Sequence, residues 1–171
     1  MKLTVREIVV FGMLGALMFV SKLLMDLLPN IHLLATLTVI YTIVYRKKAL
    51  YPIYVFVFLL GLVNGFSLWW VPHLYLWTIL WAVIMLLPQT MKPRTAMIVY
   101  AIVCAMHGFL YGTLYAPFQA LAYGLSFHGM ITWIAAGLEF DLIHGIGNLF
   151  LSTLIPPALE IFRLLEKHKS F

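Results

Sequence analysis

Asp141, His144 and Asn148 stand at i, i+3 and i+7, which sets a carboxylate, an imidazole and an amide on one face of a helix. Glu139 lies a turn or less away on a neighbouring face. In an apolar stretch such groups are costly unless they meet a cavity or a partner, so they mark a functional interior. A second stripe, His107, Tyr111 and Tyr115, advances in i+4 steps. Counted at about 1.5 Å per residue from the cytoplasmic ends of their helices, Tyr111 and His144 sit about 24 and 27 Å up. On the same count His107 and Asn148 sit at about 18 and 21 Å, so the two faces overlap and predict one pocket.

Aromatic residues supply the rest of the constellation. Trp69, Trp70, His73, Tyr75, Trp77 and Trp81 fall within thirteen positions, about as many as one interfacial belt and a span's upper half would hold. Trp69, Trp70 and Tyr75 suit the belt. Trp77 and Trp81, one turn apart, either pack against lipid and neighbours or wall a pocket that stacks a planar ligand. Asn64 and Gln119 could add hydrogen bonds from above. Indole and phenol walls with Asp, His and Asn suit a planar, hydrogen-bonding heterocycle, and no Arg is placed to favour a strongly anionic one.

Other chemistries find no motif. There is no phosphate-binding Gly-x-x-x-x-Gly-Lys-Ser/Thr, so the chain does not itself hydrolyse ATP, and no His-Glu-x-x-His or Gly-x-Ser-x-Gly. The spacing of His107, His128, His144 and Asp141 matches no metal motif, and no cofactor is expected. The single Cys104 excludes an internal disulfide and a cysteine-based zinc cluster.

The elements that must hold these groups are membrane helices. Of the 171 residues 64% are hydrophobic and 10% charged, far below the roughly 25% charged of a soluble domain. Of the eleven Lys and Arg, all but Lys22 fall in four clusters: Lys2 and Arg6; Arg46, Lys47 and Lys48; Lys92 and Arg94; Arg163, Lys167 and Lys169. Cytoplasmic loops concentrate Lys and Arg, so the alternation predicts six spans with both termini in the cytoplasm. The net charge of +5 then reflects topology and anionic lipid, not a nucleic-acid surface.

The spans are expected at about 8–28, 31–45, 49–66, 73–88, 95–115 and 130–165, forming a single all-α domain over 1–171. The apolar run from Ile8 to Leu28 is longer than a signal-peptide core, so it is expected to be a retained first span. Pro117 is expected to end the fifth span, with 118–127 an external connection or a short helix lying at the interface, and Pro156-Pro157 a kink in the last helix. Lys22, the one cation off the ladder, could pair with Asp26 or Asp141. In the first span Gly12 and Ala16, with Gly15 beside them, form a small-x-x-x-small face that admits another helix.

This plan, together with Pro29-Asn30-Ile31-His32-Leu33-Leu34, Asn64-Gly65-Phe66 and Trp69-Trp70, resembles the substrate-binding S components of energy-coupling factor (ECF) transporters. The resemblance implies a six-helix bundle in the cell membrane, as in a bacterial plasma membrane. It implies capture of a vitamin or cofactor precursor from outside, in a pocket made by the connections after spans 1 and 3 and by spans 4 to 6. It also implies a transmembrane coupling protein and two cytoplasmic ATPases as partners, with toppling in the bilayer to release substrate inward. Gly12 and Ala16 match the family's Ala-x-x-x-Ala, with Gly departing at the first position. On this reading Asn64, Trp70, Trp77, Trp81, His107, Tyr111, Tyr115, Asp141, His144 and Asn148 bind substrate. Gly12, Gly15 and Ala16 meet the coupling protein, and the chain is no enzyme. A membrane scaffold of the cell-shape type, whose polar residues only glue helices, and a stand-alone proton-coupled carrier are the other readings.

Overall fold

The computed structural model describes residues 3–28 and 30–167. Lys2, Pro29 and Lys169 lie outside the described residues. Those described form an all-helical bundle: α1 (Val5–Met25), α2 (Leu34–Tyr45), α3 (Leu50–Asn64), α4 (His73–Leu86), α5 (Pro93–Phe109), α6 (Tyr111–Tyr123), α7 (Phe127–Leu151) and α8 (Ile155–Lys167). Short 3-10 turns at Arg46–Ala49, Leu68–Trp70 and Ser152–Leu154 join some of them. Five continuous helical stretches are long and apolar enough to cross a membrane: Val5–Met25, Leu34–Asn64, Leu68–Leu86, Pro93–Tyr123 and Phe127–Leu164.

Around an apolar core, several polar side chains are buried while many large apolar ones face outward. Thr36, Thr38, Thr42, His107, Asp141, His144 and Asn148 are buried, whereas Val9, Met13, Leu24, Leu86, Leu138 and Phe150 are exposed. Only a hydrocarbon surround makes that pattern favourable, so the protein is embedded in a membrane. The short helix α2 is rich in hydroxyls: its threonines turn into the core, and the Thr42 hydroxyl donates to the Thr38 carbonyl.

The second stretch folds back at Arg46. Phe11 of α1 packs on both Tyr45 and Tyr51, while further along α1 Leu14 accepts the Tyr41 hydroxyl and Gly15 abuts Val55. Residue numbers thus fall along α2 as they rise along α1 and α3, so α2 and α3 are antiparallel limbs. The turn puts Arg46 at φ 53°, rare for a side chain larger than Gly. Three bonds hold it there: its amide donates to Thr42, its carbonyl accepts the Trp81 indole N–H at 3.1 Å, and its guanidinium donates to the Met85 carbonyl at 3.3 Å.

One expectation about a helix end is corrected. Pro117 lies inside α6 and does not end it; the helix continues to Tyr123 and closes on the left-handed Gly124, so 118–123 takes the short-helix form. The interruption falls earlier, at Leu110 with φ −101° and ψ 3°, because α5 crosses α7 there glycine to glycine. A Cβ on Gly108 would lie 2.7 Å from the Gly145 backbone, so α5 is held tightly to α7 before α6 diverges. In the last stretch α7 ends in a 3-10 turn and α8 restarts, with Pro156 and Pro157 in its first turn, where their missing N–H groups cost nothing. Ile155, Leu159 and Phe162 of α8 then face the core.

Gly15 is corrected too. It is buried at the α1–α3 crossing, where a Cβ would press on Val55 and on the Pro52 carbonyl, so it is spent inside the bundle. A Cβ on Gly12 would meet nothing within 4 Å. Gly12 and Ala16 remain partly exposed beside it.

Candidate functional site

The basic residues Arg6, Arg46, Lys47, Lys48, Lys92, Arg94 and Arg163 collect at one end of the bundle; Lys22 stands at the other. At that second end lies a cavity of about 220 Å³, bounded by the ends of α1, the 26–33 connection, and α3, α4, α6 and α7. Its walls include Trp77, Tyr111, His32, His73, His144 and Phe56. The rings form a continuous box: His144 lies 4.7 Å from His32 and 4.9 Å from Tyr111, while Trp77 lies 6.0 Å from each of His32, Phe56 and Tyr111.

Four lining residues carry a buried polar atom without a protein partner: His32 Nδ1, His73 Nδ1, Trp77 Nε1 and His144 Nε2. Trp77 is 1% exposed and His144 3%, so neither reaches bulk solvent. A buried unsatisfied polar atom costs about 1–3 kcal/mol, and the indole N–H can only donate. A guest in this cavity that offered an acceptor to the Trp77 indole and polar atoms to the imidazoles would satisfy them. Lys22 and Asp26 complete the lining, joined by an ion pair of 2.7 Å. Lys22 thus pairs with Asp26, not with Asp141.

A second cavity of about 480 Å³ runs between α6 and α7 and shares Asn30, Tyr111 and His144 with the first. Tyr115, Trp69, Trp133 and Asp141 line it. Tyr115 stacks on Trp133 at 5.8 Å and donates its hydroxyl to the Trp69 carbonyl. Asp141 is anchored here: its carboxylate accepts the Gly112 N–H, at 2.9 Å and 3.1 Å for its two oxygens. Gly112 is the second residue of α6, and its amide is free because the helix broke at Leu110. Asp141 is thus a helix cap supplied from another helix, placed where a carboxylate favours the positive end of the α6 dipole. A Cβ at Gly112 would come 2.6 Å from Asp141 Oδ2, so this cap needs glycine.

The ten residues expected to bind substrate thus separate. Trp77, Tyr111 and His144 line the smaller cavity; Tyr111, Tyr115, Asp141 and His144 line the larger. His107 and Asn148 stand behind the walls. His107 Nε2 donates to the Leu76 carbonyl at 3.1 Å with its ring 5.4 Å from Trp77, and Asn148 donates to the Cys104 carbonyl at 3.1 Å. Asn64 is exposed and bonds the Leu60 carbonyl of its own helix. Trp70 donates to the Val57 carbonyl at 2.7 Å and packs on Phe66, away from both cavities. Trp81 is at the basic end, bonded to Arg46, because one turn of α4 beyond Trp77 carries it down the bundle. Residues missed as site residues are Asp26, Asn30, His32, His73 and Trp133. Four of these lie at helix ends or in connections, and the stripe argument weighed only positions inside spans.

Among the described residues no group of three or more His, Cys, Asp or Glu is placed to hold a metal ion. Compared with protein-family models, with curated proteins and with solved structures, the chain matches none of them.

Proposed function

We propose that this protein is the membrane-embedded binding subunit of an uptake system for a small vitamin-like compound, of the S-component kind. The observation that carries the reading is the ringed cavity, with Trp77 Nε1 and His144 Nε2 unpaired, at the end of the bundle opposite the basic clusters. With Lys and Arg on the cytoplasmic side, six crossings put both termini inside and the cavity outside, as capture from the exterior requires. The antiparallel limbs α2 and α3 support counting the Leu34–Asn64 stretch as two of those crossings. The open face of Gly12 and Ala16 supports docking of a transmembrane coupling protein, which two cytoplasmic ATPases would drive.

The scaffold reading has one observation in its favour: His107 and Asn148 are engaged with backbone carbonyls of neighbouring helices, as glue would be. It leaves the ringed cavity itself without a purpose. The deciding experiment is mass spectrometry of small molecules that co-purify with the protein from cells grown in rich medium. A planar compound carrying a hydrogen-bond acceptor, lost from His144→Ala protein of unchanged helicity, is the expected result. A preparation that never carries or binds such a compound removes the binding-subunit reading.

A further inference from the structure

Two cavities at the basic end join through one residue. The first, of about 400 Å³, is lined by Tyr45, Arg46, Lys47, Lys48, Met85 and Gln89. It holds three cationic side chains, one amide and no carboxylate. Glu7 pairs with Lys48, which leaves Arg46 and Lys47 without an acidic partner among the described residues. The second, of about 570 Å³, is an apolar groove along α3, running from Lys47 and Leu50 past Val55 to Phe58 and Leu59. Lys47 belongs to both, and it is exposed.

The groove is quiet towards polar groups. Tyr54, its one hydroxyl besides that of Tyr51, is engaged with the Leu74 carbonyl and the Thr78 hydroxyl. Tyr51 lies flat on Phe11 at 5.9 Å. A cationic pocket at helix-end depth, meeting an apolar groove at Lys47, has the polarity of a phospholipid. Arg46 adds a fork of donors suited to a phosphate, and its position is fixed by the bonds at φ 53° described above.

We propose that the Arg46–Lys47 turn and the α3 groove together form a binding site for one anionic phospholipid, with phosphate on Arg46 and Lys47 and an acyl chain along Val55 and Phe58. Basic pockets between helices select such headgroups from the adjacent leaflet. The site is independent of the ligand cavity, which lies at the other end of the bundle.

The test uses the full chain in zwitterionic nanodiscs and in detergent, with native mass spectrometry counting bound lipid. Phosphatidylglycerol should bind at least tenfold more tightly than phosphatidylcholine with the same acyl chains. Lys47→Glu should abolish that preference, whereas Lys92→Glu, at the same end but outside both cavities, should keep it. Equal binding of the two lipids overturns the site. So does equal loss in the two variants, which would mean diffuse surface charge. Glycerol phosphate competing as well as the whole lipid would reduce the site to a free-phosphate pocket and overturn the acyl part. A photo-cross-linker at position 58 should label phospholipid; labelling of a partner protein in its place overturns the assignment of the groove.

Discussion

Trp77 is the residue on which the site turns. Its indole is almost wholly buried, touched by Phe56, His32, His107 and Tyr111, and its N–H points at no acceptor in the protein. Trp77→Phe keeps most of the ring contacts and removes only the unpaired donor. The variant should therefore match or exceed the parent in thermal stability without ligand, because an unpaired donor costs about 1–3 kcal/mol. Affinity for the co-purified compound should fall about tenfold, as loss of one buried hydrogen bond worth about 1.4 kcal/mol requires. Calorimetry of parent and variant checks both halves; a variant that is less stable and binds equally well would make Trp77 a packing residue. Much of this site was legible in residue types, because buried imidazoles and indoles in an apolar chain have few other reasons to be there. What was not legible was direction. Trp77 and Trp81 differ by one turn in sequence, yet one lines the cavity and the other clamps Arg46. Likewise His107 and Tyr111 are neighbours on one stripe, but only Tyr111 reaches the space, because the chain breaks at Leu110 between them.

At the scale of elements, the break at Leu110 makes α6 a separate helix whose start depends on Asp141. Spacing alone marked Asp141 as a ligand-binding carboxylate, since the stripe argument assumed an unbroken α5 with no free amide to cap. Removing the cap by Asp141→Ala should cost about 0.5–2 kcal/mol, while Asp141→Asn, which keeps an acceptor oxygen, should cost less. Gly112→Ala should lower stability by a comparable amount, through the clash with the same carboxylate. Since both changes break one contact, the double variant Asp141→Ala/Gly112→Ala should be less destabilised than the sum, and a thermal-denaturation cycle measures the difference. Strict additivity would mean that Asp141 does not cap α6. The position of Pro117 also escaped the sequence: it stands seventh in α6, past the first turn, and leaves the Thr113 carbonyl without its intrahelical donor.

For the whole molecule, the distribution of Lys and Arg was the most legible feature, and the structure carries it to one end of the bundle. The number of crossings is harder to read from length alone, because α2 and α3 run on as one helical stretch through a 3-10 turn. Topology reporters separate the possibilities. A fluorescent protein fused after Gln89 should fold and glow inside the cell, and alkaline phosphatase fused after Gly124 should be active outside it. If α2 and α3 instead lay within one crossing, both reporters would reverse, with Gln89 outside and Gly124 inside.

Cys104 is buried within α5 at 0% exposure, behind the carbonyl that Asn148 engages. It is also the only thiol in the chain. The native protein should thus be silent to membrane-permeant maleimides until it unfolds, with no need for a cysteine-free background. Any cysteine introduced at the mouth of the ringed cavity or along α1 becomes a single addressable label. Paired spin or fluorescent probes can then follow tilting of this bundle in a bilayer, and native Cys104 itself serves as an internal gauge of whether the fold has opened.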